Sequence, residues 1–191
     1  MILGNTLITE EFIQPFISEN IKSCSIDLTL DNEFLFISEH PKFDIPIDLT
    51  KPLGYYKKTS KKRNNGIKYS NEVILGSNNF CLGSTIEKIK IPKDYCGIIM
   101  GRSSYARRGI IVESAGMIDP GFEGTITLEL YNQTSRPMIL KPGIRICQLL
   151  IFKVDGCTIG YGDLETSKYQ NQQGVTGSKG HKDIEFYNKE E

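Results

Sequence analysis

The sequence predicts a mainly β domain, folded as a distorted β-barrel of the jelly-roll type with one short N-terminal helix. Two observations carry that expectation. Short bursts of Val, Ile, Leu, Phe and Tyr recur along the chain, punctuated by 18 glycines and 8 prolines. No burst leaves room for a long helix, no internal repeat is present, and 191 residues suit one core.

The elements follow in order. "TLITEEFIQPFI", residues 6–17, is the helix candidate: Thr9 is a capping residue, Glu10 and Glu11 suit a first turn, and Pro15 limits the length. "SIDLTL", residues 25–30, sets Ile26, Leu28 and Leu30 against Ser25, Asp27 and Thr29, the alternation of a half-buried strand. "NEFLFIS", residues 32–38, is expected to pair with it across a tight turn. In "YYKKTSKKRNNGIKYS", residues 55–70, Lys57, Lys58, Lys61, Lys62 and Arg63 crowd around the turn signal Asn65-Gly66, which reads as a solvated hairpin. From residue 71 short strands alternate with turns: "EVILG", "FCLGSTIEKIKI", "YCGIIMG", "GIIVES", "TITLELYN", "RPMILKPG" and "IRICQLLIFKV". From Gly160 the composition turns to Gly, Ser, Asn, Gln and Lys, with Tyr161 and Tyr169 as anchors for a partner surface. Residues 1–160 are thus expected to form the domain, and 161–191 its C-terminal lid or tail.

Charge excludes some functions. Lys and Arg total 23, Asp and Glu total 23, so the chain lacks the basic excess that nucleic-acid backbones demand. Any anion site must be local. Cys24, Cys81, Cys96, Cys147 and Cys157 are scattered, form no CxxC pair and read as buried free thiols of a reducing compartment. The segment "MILGNTLITEEF" does not resemble a signal peptide, and no apolar run reaches the ~18 residues of a membrane span. A cytoplasmic protein without membrane contact is expected.

Metal-hydroxide deamination of the zinc type requires H-x-E and P-C-x-x-C, and His40 and His181 stand in no such setting. No Walker motif, no G-x-G-x-x-G after a strand and no credible Ser-His-Asp set is present. If the protein is an enzyme, carboxylates must move its protons.

One stretch concentrates the candidate chemistry, "GRSSYARRGIIVESAGMIDPGFEGTITLELYN", residues 101–132. Gly101 lets backbone approach a ligand, Arg102 offers a planar fork for phosphate, Ser103 and Ser104 add hydroxyls and N–H groups, and Arg107 reaches an anion or a carboxylate. The same arginines also suit a turn that pairs with surface acids. Gly116 and Gly121 would let a flat group lie on main chain beside Asp119, although an Asp before Pro-Gly is common in ordinary turns. Glu129 falls on the polar face of an alternating strand, either simply wet or fixed for acid–base work. Gln148, among Cys147, Leu149 and Leu150, needs hydrogen-bond partners, and phosphate oxygens would serve.

"GRSSYARRG", "AGMIDPGFEG", "TLELYN", "PGIRICQL" and "SKYQNQQG", in this order and spacing, resemble the dCTP deaminase and dUTPase superfamily, and "SIDLTL" looks like its early strand. The resemblance spans most of residues 1–175. It implies a homotrimer of distorted barrels with active sites between subunits. It implies a triphosphate substrate carrying Mg2+, with no zinc and no residue ligating metal directly. It implies a triphosphate cradle of Arg102, Ser103, Ser104, Gln148, Tyr161, Lys168, Tyr169 and Gln172, and a base and sugar site of Ala115, Gly116, Ile118, Asp119 and Phe122. Glu129 matches the essential Glu of deaminase members, which shuttles protons at the cytosine ring, and Ser103 and Arg107 match residues holding the water and that carboxylate. Asp119 matches the dUTPase Asp that activates water against the α-phosphorus.

Two features bear on the activity. "GIIVESAGMID" has Glu113 and the shorter spacing of dUTPases and some bifunctional deaminases, not the longer His-bearing version of single-function ones. "KYQNQQG" looks like a deaminase lid, while "GVTGSKG" is similar to a dUTPase arm without its aromatic. The expectation is a bifunctional enzyme that turns dCTP into dUMP, ammonia and pyrophosphate, accepts dUTP and is open to inhibition by dTTP. A deaminase forming dUTP, a dUTP diphosphatase and a non-catalytic nucleotide-binding regulator remain alternatives.

Overall fold

The strand-like segments "FCLGSTIEKIKI", "TITLELYN" and "IRICQLLIFKV" become the three longest strands. The computed structural model describes residues 1–38, 46–59, 62–64, 67–69, 72–113 and 116–186; at 62–64, 67–69, 113 and 184–186 only the backbone is described. In chain order the strands are β1 (Ile13–Gln14), β2 (Ile26–Thr29), β3 (Glu33–Ile37), β4 (Tyr55–Thr59), β5 (Lys62–Asn64), β6 (Ile67–Tyr69) and β7 (Val73–Leu75). Then come β8 (Phe80–Lys90), β9 (Tyr95–Gly101), the single helical turn α1 (Ser103–Ala106), β10 (Ile110–Glu113), β11 (Met117–Ile118), β12 (Glu123–Asn132), β13 (Met138–Leu140) and β14 (Arg145–Lys153).

The fold is mainly β. One sheet runs β10-β12-β8-β3-β4 with β1 added to β8, a second runs β11-β9-β14-β2, and β13-β7 and β5-β6 form small pairs. Among the described residues the sheets do not close into the barrel expected from the sequence. Every pairing given is antiparallel, which suits short connections. Leu28 and Leu149 of the four-stranded sheet and Phe34, Ile89, Leu128 and Leu130 of the six-stranded sheet share one buried core. Hydrophobic burial of this kind stabilises each large side chain by about 1.5–3 kcal/mol.

Four expectations are corrected. The N-terminal helix is absent: Thr9 does receive the N–H of Glu11 at 3.4 Å, but the turn ends at once. Phe12 and Ile13 are buried, and Ile13 pairs with Ile89, so core packing draws the segment into β1. The only α-helical turn among the described residues is α1. The β2–β3 hairpin is absent too. Leu30 donates to Ile144 O at 2.9 Å and Asp31 to Ser84 O at 2.8 Å, so the chain crosses from one sheet to the other between them. Asp27 is not on a wet face; it is 1% exposed. Last, of the free thiols, Cys81, Cys96 and Cys147 are buried, whereas Cys24 is exposed and Cys157 half-buried, against the expectation that all five are buried.

The basic segment contributes β4, at the edge of the larger sheet, and the β5–β6 pair. Lys57 pairs with Glu33 at 2.6 Å, and the Lys58 ammonium lies 4.4 Å from the Phe36 ring centroid. Lys61 and the Asn65-Gly66 turn lie outside the described residues, as does His40. No helix among the described residues is long and apolar enough to cross a membrane.

Candidate active site

A cavity of about 400 Å³ opens against β12 and β11. Its wall includes Gly116, Ile118, Asp119, Phe122, Glu129, Tyr161, Tyr169 and Gln172, so eight residues singled out in the sequence meet at one place. The strand alternation puts Glu129 there. Leu128 and Leu130 are buried, whereas Glu129 is half-buried and lines the cavity. Its register partners are Glu113 on β10 and Leu82 on β8. Asp119 follows β11 and is exposed, in a turn closed by Phe122 N–H donating to Asp119 O at 3.2 Å. Gly121 takes φ +82, and a Cβ there would come within 3.0 Å of Gly160. Gly121 therefore serves close approach to the chain's own tail, not to a flat ligand. At Gly101 a Cβ would meet Val112 only at 3.6 Å, an ordinary contact, so no close approach within the chain requires glycine there.

The tail seats on its own chain. Tyr161 and Tyr169 are partly buried against the core, and the Tyr161 ring meets Phe122 edge-on at 5.7 Å. Gln172 exchanges bonds with Thr125 in both directions: its Nε2 donates to Thr125 O at 2.7 Å and its O accepts from Thr125 N at 3.0 Å. Its buried Oε1 accepts none among the described residues. Thr176 N–H donates to Thr127 Oγ1 at 3.1 Å, and Ser178 N–H to the Tyr55 hydroxyl at 3.2 Å. The Lys93 ammonium and the Gly160 N–H both bond the exposed Asp163 carboxylate and hold it below the usual carboxylate range, Lys93 foremost.

The expected triphosphate residues are divided: Tyr161, Tyr169 and Gln172 line the cavity. Arg102, Ser103, Ser104, Arg107, Gln148 and Lys168 do not line the cavity. Arg102 precedes α1, which carries Ser103 and Ser104, both exposed. Its Nη1 donates to Arg145 O at 2.8 Å and its Nε meets Asp27 Oδ1 at 3.2 Å. Gln148 is opposite Asp27 on one side and Met100 on the other, so these three share a face of the four-stranded sheet. Ile99, Leu149 and Ile26 occupy the other face, and Ile99 lines the cavity. Within one chain, Gln148 and the Asp27 that holds Arg102 are thus on the opposite face of this sheet from Ile99 and the cavity. Lys168 pairs with Asp183 at 2.6 Å, and Ala115 lies outside the described residues.

The sequence reading missed Tyr55, Leu53 and Ile37 on the cavity wall, and Asp27 behind Arg102. The doubled "YY" at 55–56 was the available signal for the first; Leu53 and Ile37 gave none. No group of three or more His, Cys, Asp or Glu among the described residues is placed to hold a metal ion.

A family model described as dCTP deaminase-like matches residues 5–154. The chain is similar to the "dCTP deaminase, dUMP-forming" of Sulfurihydrogenibium sp., 39% identical over 168 residues, 87% of each chain. It is similar to the protein of the same name from Coprothermobacter proteolyticus, 38% identical over 94% of this chain and 96% of that one. A crystal structure of the 2′-deoxycytidine 5′-triphosphate deaminase from Agrobacterium tumefaciens shares the fold, with TM-score 0.58 at 16% identity. That likeness covers 78% of this chain and 48% of the longer one.

Proposed function

The chain belongs to the dCTP deaminase-like family, and we propose on that premise that it converts dCTP with two waters to dUMP, ammonia and pyrophosphate. The observation that carries the reading is the meeting of two carboxylates, Asp119 and Glu129, in one cavity sized for a nucleoside. Deamination adds water to C4 of cytosine and breaks the bond to the exocyclic nitrogen. Glu129 takes the proton from that water and delivers protons to N3 and to the departing ammonia. Ser103 and Arg107 hold the water and the Glu129 carboxylate. Phosphate cleavage forms a bond from water oxygen to the α-phosphorus and releases pyrophosphate. Asp119 removes the proton from that water. Phe122 packs under the deoxyribose, with Gly116, Ile118 and Ala115 along base and sugar.

The substrate is the magnesium complex of the triphosphate, its ion held by phosphate oxygens and water. A cationic cradle of Arg102 and Lys168, with Ser103, Ser104 and Gln148, suits the oxygens of such a complex better than a bare cation. Tyr161, Tyr169 and Gln172 complete it from the tail, which we read as a lid made by residues 161–191 on a domain of residues 1–160. Gln148 and the Asp27–Arg102 pair lie on the sheet face opposite the cavity, which supports a homotrimer of these domains whose sites each draw Arg102 and Gln148 from one subunit and the cavity from the next. dUTP enters the same pathway, dTTP fits it as an inhibitor, and the setting is the cytoplasm.

Incubation of the protein with dCTP and, separately, dUTP, followed by nucleotide chromatography, tests the reading. dUMP from both substrates is expected. Accumulation of dUTP from dCTP, with added dUTP left intact, replaces it by a deaminase-only reading.

A further inference from the structure

Asp27 stands at the centre of three cations. Lys22 Nζ is 3.7 Å and Arg145 Nη1 3.5 Å from its Oδ2, and Arg102 Nε is 3.2 Å from its Oδ1. The Asp27 side chain is 2% exposed, those of Arg102, Arg145 and Lys22 are 24%, 42% and 43% exposed, and Oδ2 accepts no hydrogen bond among the described residues. A buried carboxylate of this kind costs several kcal/mol of desolvation unless its partners repay it. As a stability element it is a poor choice, which directs attention to what it holds.

It holds Arg102. The guanidinium is fixed at two points, Nε on Asp27 and Nη1 on Arg145 O, while Arg102 N–H donates to Ile146 O at 3.4 Å. The anchoring oxygens belong to an irregularity of β14, where the register with β2 shifts between Arg145 and Cys147. A guanidinium is planar, so fixing Nε and Nη1 sets the direction of Nη2 as well. The geometry points to Asp27 as a positioning residue of the phosphate cradle, which locks the Arg102 fork in advance for a nucleoside triphosphate. This inference rests on the reading of Arg102 as a phosphate ligand. Asp27 does not touch substrate; it acts by removing rotamer freedom that binding would otherwise have to remove, an effect of about 0.5–1.5 kcal/mol per ordered side chain.

The test is steady-state kinetics on the full-length protein with dCTP and dUTP, with inorganic triphosphate as competing inhibitor. Asp27→Asn is expected to raise KM for both substrates, and the inhibition constant for triphosphate, by the same factor of about two- to tenfold. kcat should hold. In an Arg102→Ala background, Asp27→Asn should add nothing, because its route to substrate is gone. Removing the anion leaves three cations facing each other, so a second variant spares it. Arg102→Lys keeps the charge but cannot bridge Asp27 and Arg145 O, and it should raise KM by a similar factor. A wild-type KM in Arg102→Lys overturns the proposal. So does an Asp27→Asn effect that lowers kcat, or that adds fully to Arg102→Ala, since either marks a merely structural role. If Arg102→Ala itself leaves KM unchanged, the cradle reading falls and the proposal with it. If Arg102→Ala raises KM while Asp27→Asn does not, only the positioning claim falls.

Discussion

The carboxylate of Glu87 accepts the backbone N–H of Thr29 at 2.8 Å, joining β8 of the six-stranded sheet to β2 of the four-stranded one. Glu87 is 1% exposed, and its Oε1 accepts no hydrogen bond among the described residues. Burial, above all, raises its pKa; the Thr29 N–H opposes this and the Asp31 charge adds to it. The folded state therefore binds this proton more tightly than the unfolded state. Its contribution is most favourable below the ordinary carboxylate range and is lost as pH rises through the raised value. Glu87→Gln should remove that slope. Its stability should match wild type in acid and exceed it above neutral pH, by on the order of 1 kcal/mol, with the thermal midpoint raised accordingly. Thermal melts across pH check this; an unchanged slope in the variant assigns it to other groups.

Glu129→Gln preserves shape and removes the proton acceptor. Deamination of dCTP should fall by about 10²–10⁴-fold, whereas cleavage of dUTP, which needs no proton at N3, should survive in part. Asp119→Asn should reverse the pattern for phosphate cleavage. Product analysis of both variants on both substrates decides, and wild-type conversion of dCTP by Glu129→Gln removes the assignment of that residue.

Arg102, held by Asp27 on the sheet face opposite the cavity that Glu129 lines, predicts complementation. Arg102→Ala and Glu129→Gln, each impaired alone, should regain about a quarter of wild-type deamination when refolded together at equal amounts, because each site takes two halves from different subunits at even odds. Strictly additive, unrescued activity in the mixture counts against the shared site. Sedimentation of the wild type should show a trimer.

The tail is seated by a small contact. A Cβ on Gly177 would lie 2.7 Å from Tyr55 Cε2, and the Tyr55 hydroxyl receives Ser178 N–H. Gly177→Ala should lift the tail, and Tyr55→Phe should loosen it by about 0.5–1.5 kcal/mol. Limited proteolysis at Lys179 should speed up in both, with little change in the thermal midpoint of the domain.

Asn132, fully buried at the end of β12, donates from Nδ2 to Leu75 O, Gly76 O and Arg136 O at 3.2, 2.8 and 2.8 Å. Its Oδ1 accepts from Thr134 N–H at 3.0 Å. Asn132→Asp aims a carboxylate at three carbonyls and should cost at least about 3 kcal/mol in denaturant unfolding.

The sequence by itself determined most strands, the polar face that carries Glu129, and the family's string of motifs from Arg102 to Gln172. Those are local properties: alternation, turn residues and motif spacing are written within a few positions of one another. Only the tertiary structure decided that residues 13–14 are a strand and not part of a helix, because Ile13 finds Ile89 some 76 positions away in sequence. It decided that Asp27 is buried, because the cations that cover it come from Lys22, Arg102 and Arg145. It also divided the candidate site, since Met100, on the face of Gln148 and Asp27, and Ile99, on the cavity side, are neighbours on β9 yet serve opposite faces of the sheet. Side-chain alternation assigns residues to two faces, but which face is core, cavity or subunit contact depends on what the rest of the chain packs against each.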